Sequence, residues 1–169
     1  LQTDSSPLIC LTGINSLHTI WAGWEKDPET GLLWEQRDRV AADYAGWAKA
    51  GCDRVIELLG GRSGVVSVYG DVHNGSIIRN VEHRLVESSF GPIGRWGGRA
   101  VKEGWAPRMQ DYDGREVEVL SLYHAHYSTP DLQPATGPEY FNFLEMDFDP
   151  RPSDPKIGLR LRNLVDPPA

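Results

Sequence analysis

The stretch from Trp34 to Tyr69 restricts the fold more than any other part of the chain. Val40, Tyr44, Trp47, Ala48, Cys52, Val55, Leu58 and Leu59 recur at three- and four-residue intervals, the period of a helix with one buried face. Arg37, Asp38, Lys49 and Asp53 fall largely elsewhere. Gly46 and Gly51 weaken that helix by up to about 1 kcal/mol each relative to alanine, and are places for it to bend or divide. "GGRSG" (60–64) then stops it with glycine punctuation, and "VVSVYG" follows as a short strand rich in β-branched residues. Helix, tight loop and strand make the second half of a βαβ unit, which commits the chain to layers of helix on sheet.

The rest of the chain fits around that unit. "PLICLTGI" (7–14) predicts a buried strand closed by Gly13, leading into a loop that carries His18, and "HTIWAGWEKDPETG" predicts a surface loop with Trp21 and Trp24 folded back. Beyond Gly75, "SIIRNVEHRLVESSF" predicts one or two strands and "GPIGRWGG" a glycine-rich loop. "RAVKEGWAPRMQDYDGRE" carries no clear element, but "DYDGR" is a turn signal. "EVEVLSLYHAHYS" and "YFNFLEMDF" predict strands. "KIGLRLRNL" alternates Ile157, Leu159 and Leu161 with Gly158, Arg160 and Arg162, a strand with one buried face. Prolines 130, 134 and 138 and "DPRPSDP" mark loops. The expected architecture is α/β in a single domain, 1–169, with a mixed sheet and a strand-rich C-terminal part.

Length supports one domain with a real core, since the chain has 169 residues. Cys10 and Cys52 show no Cys-x-x-Cys spacing, and small buried hydrophobes are the expectation for both. A net charge of −7 argues against a general nucleic-acid footprint and suits solubility and cation attraction. No run of about 18 apolar residues and no signal-like segment points to a membrane. The first residue is Leu1, not Met, and the expectation is a fragment of a longer enzyme.

The sharpest chemical signal is "SVYGDVHNGS" (67–76), where an apolar strand ends in Asp71 and His73 between Gly70 and Gly75. In open α/β sheets, functional groups collect beyond the carboxyl ends of strands. Residues two apart point the same way if extended backbone persists that far. A carboxylate and an imidazole converging there suit Zn, Fe, Mn or Ca, depending on what else joins them. The bland alternative is a turn-capping aspartate beside a surface histidine.

Other residues carry weaker signals. His124 and His126 in "YHAHYS" share a strand face and could chelate one metal, although such sites want a glutamate and a third histidine as well. His18 could line the same crevice as Asp71, or bond to backbone. Asp43 could reach it from the helix, or stay exposed. Arg95 and Arg99 could grip phosphate bidentately, or remain solvated. Glu116 and Glu118 are expected on the wet side of a strand. The six tryptophans are expected to pack, and neither a Gly-x-Ser-x-Gly elbow nor a P-loop is present.

"VVSVYGDVHNGS" resembles the last metal-binding motif of the calcineurin-like metallophosphatase superfamily, in the form typical of PhoD-like alkaline phosphatases. "DRVAADYAGWAKAGCDRVIELL" resembles the helix before that strand, with Asp43, Gly46, Trp47 and Arg54 in place of the more usual Asp-x-Trp-x-Gly-Tyr, and "YFNFLEMDFDPRPSDPKIGLRLRNL" looks like its terminal strands. Together the resemblance covers roughly residues 7 to 165. It implies the C-terminal half of a layered α/β/β/α sandwich and a two-metal phosphoesterase acting on phosphate monoesters or phosphodiesters. His73 would then be a metal ligand, and Asp71 would stand where the commoner form has histidine, binding metal or orienting a ligand. Family members are often exported, which by analogy implies an exported or periplasmic protein. The family's earlier motifs, Asp-x-His, Gly-Asp-x-x-Asp and Gly-Asn-His-Asp or -Glu, do not precede Asp71 in this sequence. The chain therefore implies a partial site that awaits the N-terminal half of the domain, with little catalysis of its own. The competing readings are a non-catalytic β-rich binding or structural domain, and a single-metal β-sandwich oxygenase using His124 and His126.

Overall fold

A computed structural model of the protein describes residues 7–13, 17, 18, 20, 49–70, 72, 74–91, 106–123, 142–149 and 156–163. Its elements are β1 (Leu8–Thr12), α1 (Lys49–Leu59), β2 (Val65–Tyr69), β3 (Gly75–Asn80), β4 (Val86–Ser89), β5 (Arg108–Gln110), β6 (Glu116–Tyr123), β7 (Asn142–Asp149) and β8 (Lys156–Asn163). The fold is mixed α/β and strand-rich, as expected. Six strands form one mixed sheet in the order β1-β2-β4-β3-β6-β5, and β7 and β8 pair antiparallel by themselves. β1, β2 and β4 run parallel, so their carboxyl ends, Thr12, Tyr69 and Ser89, lie along one edge of the sheet. β3 returns antiparallel between β4 and β6.

The sheet is covered differently on its two faces. Ile56 of α1 meets Leu17, Val65 and Leu85, with Leu8, Val55 and Leu59 at the margin. Register places Ser67, Glu87 and Ile78 on that α1 face, and alternation adds Tyr69. A second cluster on this side joins Ile20, Tyr69, Val72, Ile78 and Val117. Val66, Val68, Ser88 and Gly75 point to the opposite face by the same alternation, and there Leu161 of β8 stands against Gly75. Every residue of β2 is buried because both faces are covered. β8 is apolar toward the sheet, while Arg160 and Arg162 pair with Glu145 at 3.0 and 2.7 Å on its outer face.

Three expectations needed correction. A buried β1 is the expectation, yet among the described residues it is the outer strand of the sheet, with Ile9 41% and Leu11 76% exposed. A short apolar run does not distinguish a central strand from an edge one. The apolar stripe of α1 centres on Cys52 and Ile56, and Leu58 turns outward, 56% exposed. Finally, α1 runs unbroken through Gly51, which has open space around it. The predicted part of that helix before Lys49 lies outside the described residues.

Candidate functional site

The strand that leads to the Gly-Asp-Val-His loop is held by burial on both faces and by parallel ladders to β1 and β4. β2 ends at Tyr69, and the Val72 N–H donates to the Gly70 carbonyl at 2.8 Å, closing a tight turn immediately beyond it. β2 therefore ends before this loop begins. Val72 is fully buried in the cluster with Tyr69 and Ile78, and Asn74 is 1% exposed. The loop is thus anchored from inside at alternate residues. Asp71 and His73 themselves lie outside the described residues.

The loop leads into a dense polar floor. Ser76 and Ser89 share a hydrogen bond of 2.7 Å between their hydroxyls, and the Ser88 hydroxyl donates to the Ser76 carbonyl at 2.8 Å. Buried polar groups must be paired or they destabilise by one to several kcal/mol, so such a cluster at a strand end fixes geometry. Gly75 meets the expectation of close approach: a Cβ there would collide with Asn142 Oδ1 and stand 3.2 Å from Leu161 Cδ2. Its backbone is not left-handed, so space, not turning, demands glycine.

His18 does not line the crevice. It is fully buried on the α1 side, where Leu17 and His18 donate their N–H groups to Glu87 Oε1 and Oε2 at 3.0 and 2.9 Å. Its Nδ1 also lies 3.3 Å from Glu87 Oε2. Glu87 sits on β4 beneath this loop and ties it to the sheet. Nothing in "LVESS" marked Glu87, since one acid in a short strand reads as a solvated position.

A second group went unnoticed in "DYDGR". That segment is the expected turn, with Asp111 Oδ1 accepting the N–H groups of Asp113 and Arg115, both at 2.9 Å. Arg115 then reaches back to Asp113 at 2.6 Å, Asp111 at 3.3 Å, Asp53 of α1 and the Leu17 carbonyl at 3.4 Å. Partial burial opposes its charge, but the bond to Asp53 and the fields of Asp111 and Asp113 outweigh that and raise its pKa further. Arg115 and Glu87 between them pin the start of the His18 loop from two directions.

Glu116 and Glu118 occupy one side of β6, as expected, and pair with Arg108 and Arg79. Two pockets open at the far end of the strands from the Gly-Asp-Val-His loop. One, of about 580 Å³, is lined by residues including Asp53, Glu57, Glu82 and Arg115, and the other, of about 500 Å³, includes Arg62, Arg84 and Leu159. Among the described residues, no three His, Cys, Asp or Glu side chains gather as a metal-binding group, and no helix is long and apolar enough to cross a membrane. Asp43, Arg95, Arg99, His124, His126 and the tryptophans lie outside the described residues. No family model, curated protein or solved structure matches the chain.

Proposed function

We propose that this chain carries part of the site of a metal-dependent phosphoesterase, in which Asp71 and His73 hold a metal ion at the carboxyl edge of the parallel strands. The observation that supports this best is the position of the loop. It leaves β2, the strand between β1 and β4, and is anchored by the buried Val72 and Asn74, which precede and follow residue 73 in the chain. Rigid scaffold below and a loop above is the arrangement in which α/β sheets place ligands.

The donor chemistry fits one half of such a centre. An imidazole and a carboxylate suit Zn, Fe, Mn or Ca. Metal ions bound there would polarise phosphoryl oxygens and lower the pKa of a water. His73 would supply the imidazole ligand, and Asp71 would ligate or orient. The hydrogen bonds among Ser76, Ser88 and Ser89 hold the adjoining ends of β3 and β4 together. Further ligands would have to join Asp71 and His73 to complete a two-metal centre. In the same reading, α1 on one face and the β7–β8 pair on the other are the C-terminal half of an α/β/β/α sandwich.

The test is hydrolysis of p-nitrophenyl phosphate and bis(p-nitrophenyl) phosphate by the complete natural protein containing this chain. Activity should vanish with EDTA, return with one of these metals, and fall more than about 100-fold in His73→Ala, beyond the usual loss for outer-sphere partners. Chelator-insensitive hydrolysis, or an unchanged rate in His73→Ala, contradicts the proposal.

A further inference from the structure

The residue that opens β7 sits where three segments meet. Asn142 is 1% exposed, and its Oδ1 accepts the Gly91 N–H at 3.2 Å, just beyond the end of β4. The same amide stands over Gly75, whose missing side chain leaves room for it: a Cβ at that position would also come within 3.1 Å of Asn142 Cγ. Gly91 adopts φ 106, a conformation that favours glycine, and so presents its N–H where a strand residue would not. One buried amide thereby bridges the exit of the Gly-Asp-Val-His loop and the segment following the neighbouring parallel strand.

We infer that Asn142 is a positioning residue for the metal site, acting through Gly75 and Gly91. This rests on the reading of Asp71 and His73 as metal donors. β3 begins two residues after His73. The exit is already registered against β4 by the Ser76–Ser89 pairing and its hydroxyl bond. The Asn142 amide adds a second hold, filling the space over Gly75 and accepting the Gly91 N–H beyond β4. It also makes the β7–β8 layer part of the site's support, although neither strand supplies a described donor. Outer-sphere groups of this kind typically alter metal affinity by about 10- to 100-fold.

Cobalt(II) titration of the complete metal-free protein, read by visible absorption, tests the clamp. Asn142→Ala should weaken Co²⁺ binding at least about 10-fold and change the ligand-field bands. Asn142→Asp, which keeps the Oδ1 acceptor, should restore most of the affinity. Ile56→Ala, destabilised in the core beneath α1, should bind and absorb like the wild type. Gly75→Ala displaces the same amide by its methyl group and should weaken binding in the same direction, which keeps the test open if Asn142→Ala does not fold. Wild-type affinity and spectrum in Asn142→Ala and Gly75→Ala, with binding lost in His73→Ala, would overturn the clamp alone. Equal weakening in Ile56→Ala would overturn it as a mere stability effect. Wild-type binding in His73→Ala would overturn the metal reading and the clamp with it.

Discussion

Arg115 gathers carboxylates from two elements, Asp53 on α1 and Asp111 and Asp113 in its own turn, while its side chain is only 12% exposed. Asp111 and Asp113 are nearly inaccessible, so removing their cation should be far worse than breaking a surface pair. Arg115→Met should lower the unfolding free energy by about 3 kcal/mol in urea titrations, and a loss below about 1 kcal/mol would contradict this account. Asp53 behaves differently because its side chain is 39% exposed. Hydrogen bonds from Lys49 and Arg115 hold its carboxyl below the usual carboxylate range. A group depressed on folding stabilises above its unfolded pKa of about 3.9 and loses that contribution as pH falls through the folded value. Asp53→Asn should therefore be less stable than the wild type at pH 7, by about 0.5 to 1 kcal/mol after solvent screening, with the gap closing as pH falls below the unfolded pKa of about 3.9. A gap that widens in acid would show that the carboxylate is not the group responsible.

At the level of elements, α1 shows both what periodicity discloses and what it leaves open. The three- and four-residue pattern located the described part of the helix and put Cys52 on its inner side, but it passed over Ile56 and took in Leu58, because Val55, Ile56, Leu58 and Leu59 are too many apolar residues for one stripe. Only the neighbours Leu17, Val65 and Leu85 decide that Ile56 is inside. Ile56→Ala should destabilise by about 3 kcal/mol, whereas Leu58→Ala should change thermal unfolding little. Similar effects at both positions would contradict the observed helix face. The strands were legible for the same reason and to the same depth. Alternation in "KIGLRLRNL" identified the inner face of β8, and "DYDGR" identified the turn before β6, because both signals are local. The edge position of β1, the pairing of β2 with β4 in place of β3, and the three-residue β5 depend on contacts between distant segments, which no local pattern encodes. Glu87, Arg115 and Asn142 escaped notice for that reason too. Each is an ordinary polar residue locally, and becomes structural only where the fold brings another segment against it.

For the whole molecule, the parallel core β1-β2-β4 has its carboxyl ends along one edge, with supports converging from both sides of the sheet. Glu87 and Arg115 hold the loop after β1, buried Val72 and Asn74 hold the loop after β2, and Asn142 holds the segment after β4. The most direct test is the metal content of the complete natural protein as purified, measured by plasma mass spectrometry on the wild type, His73→Ala and His124→Ala. The account predicts bound metal in the wild type and in His124→Ala and its loss in His73→Ala. Metal retained in His73→Ala but lost in His124→Ala would contradict it.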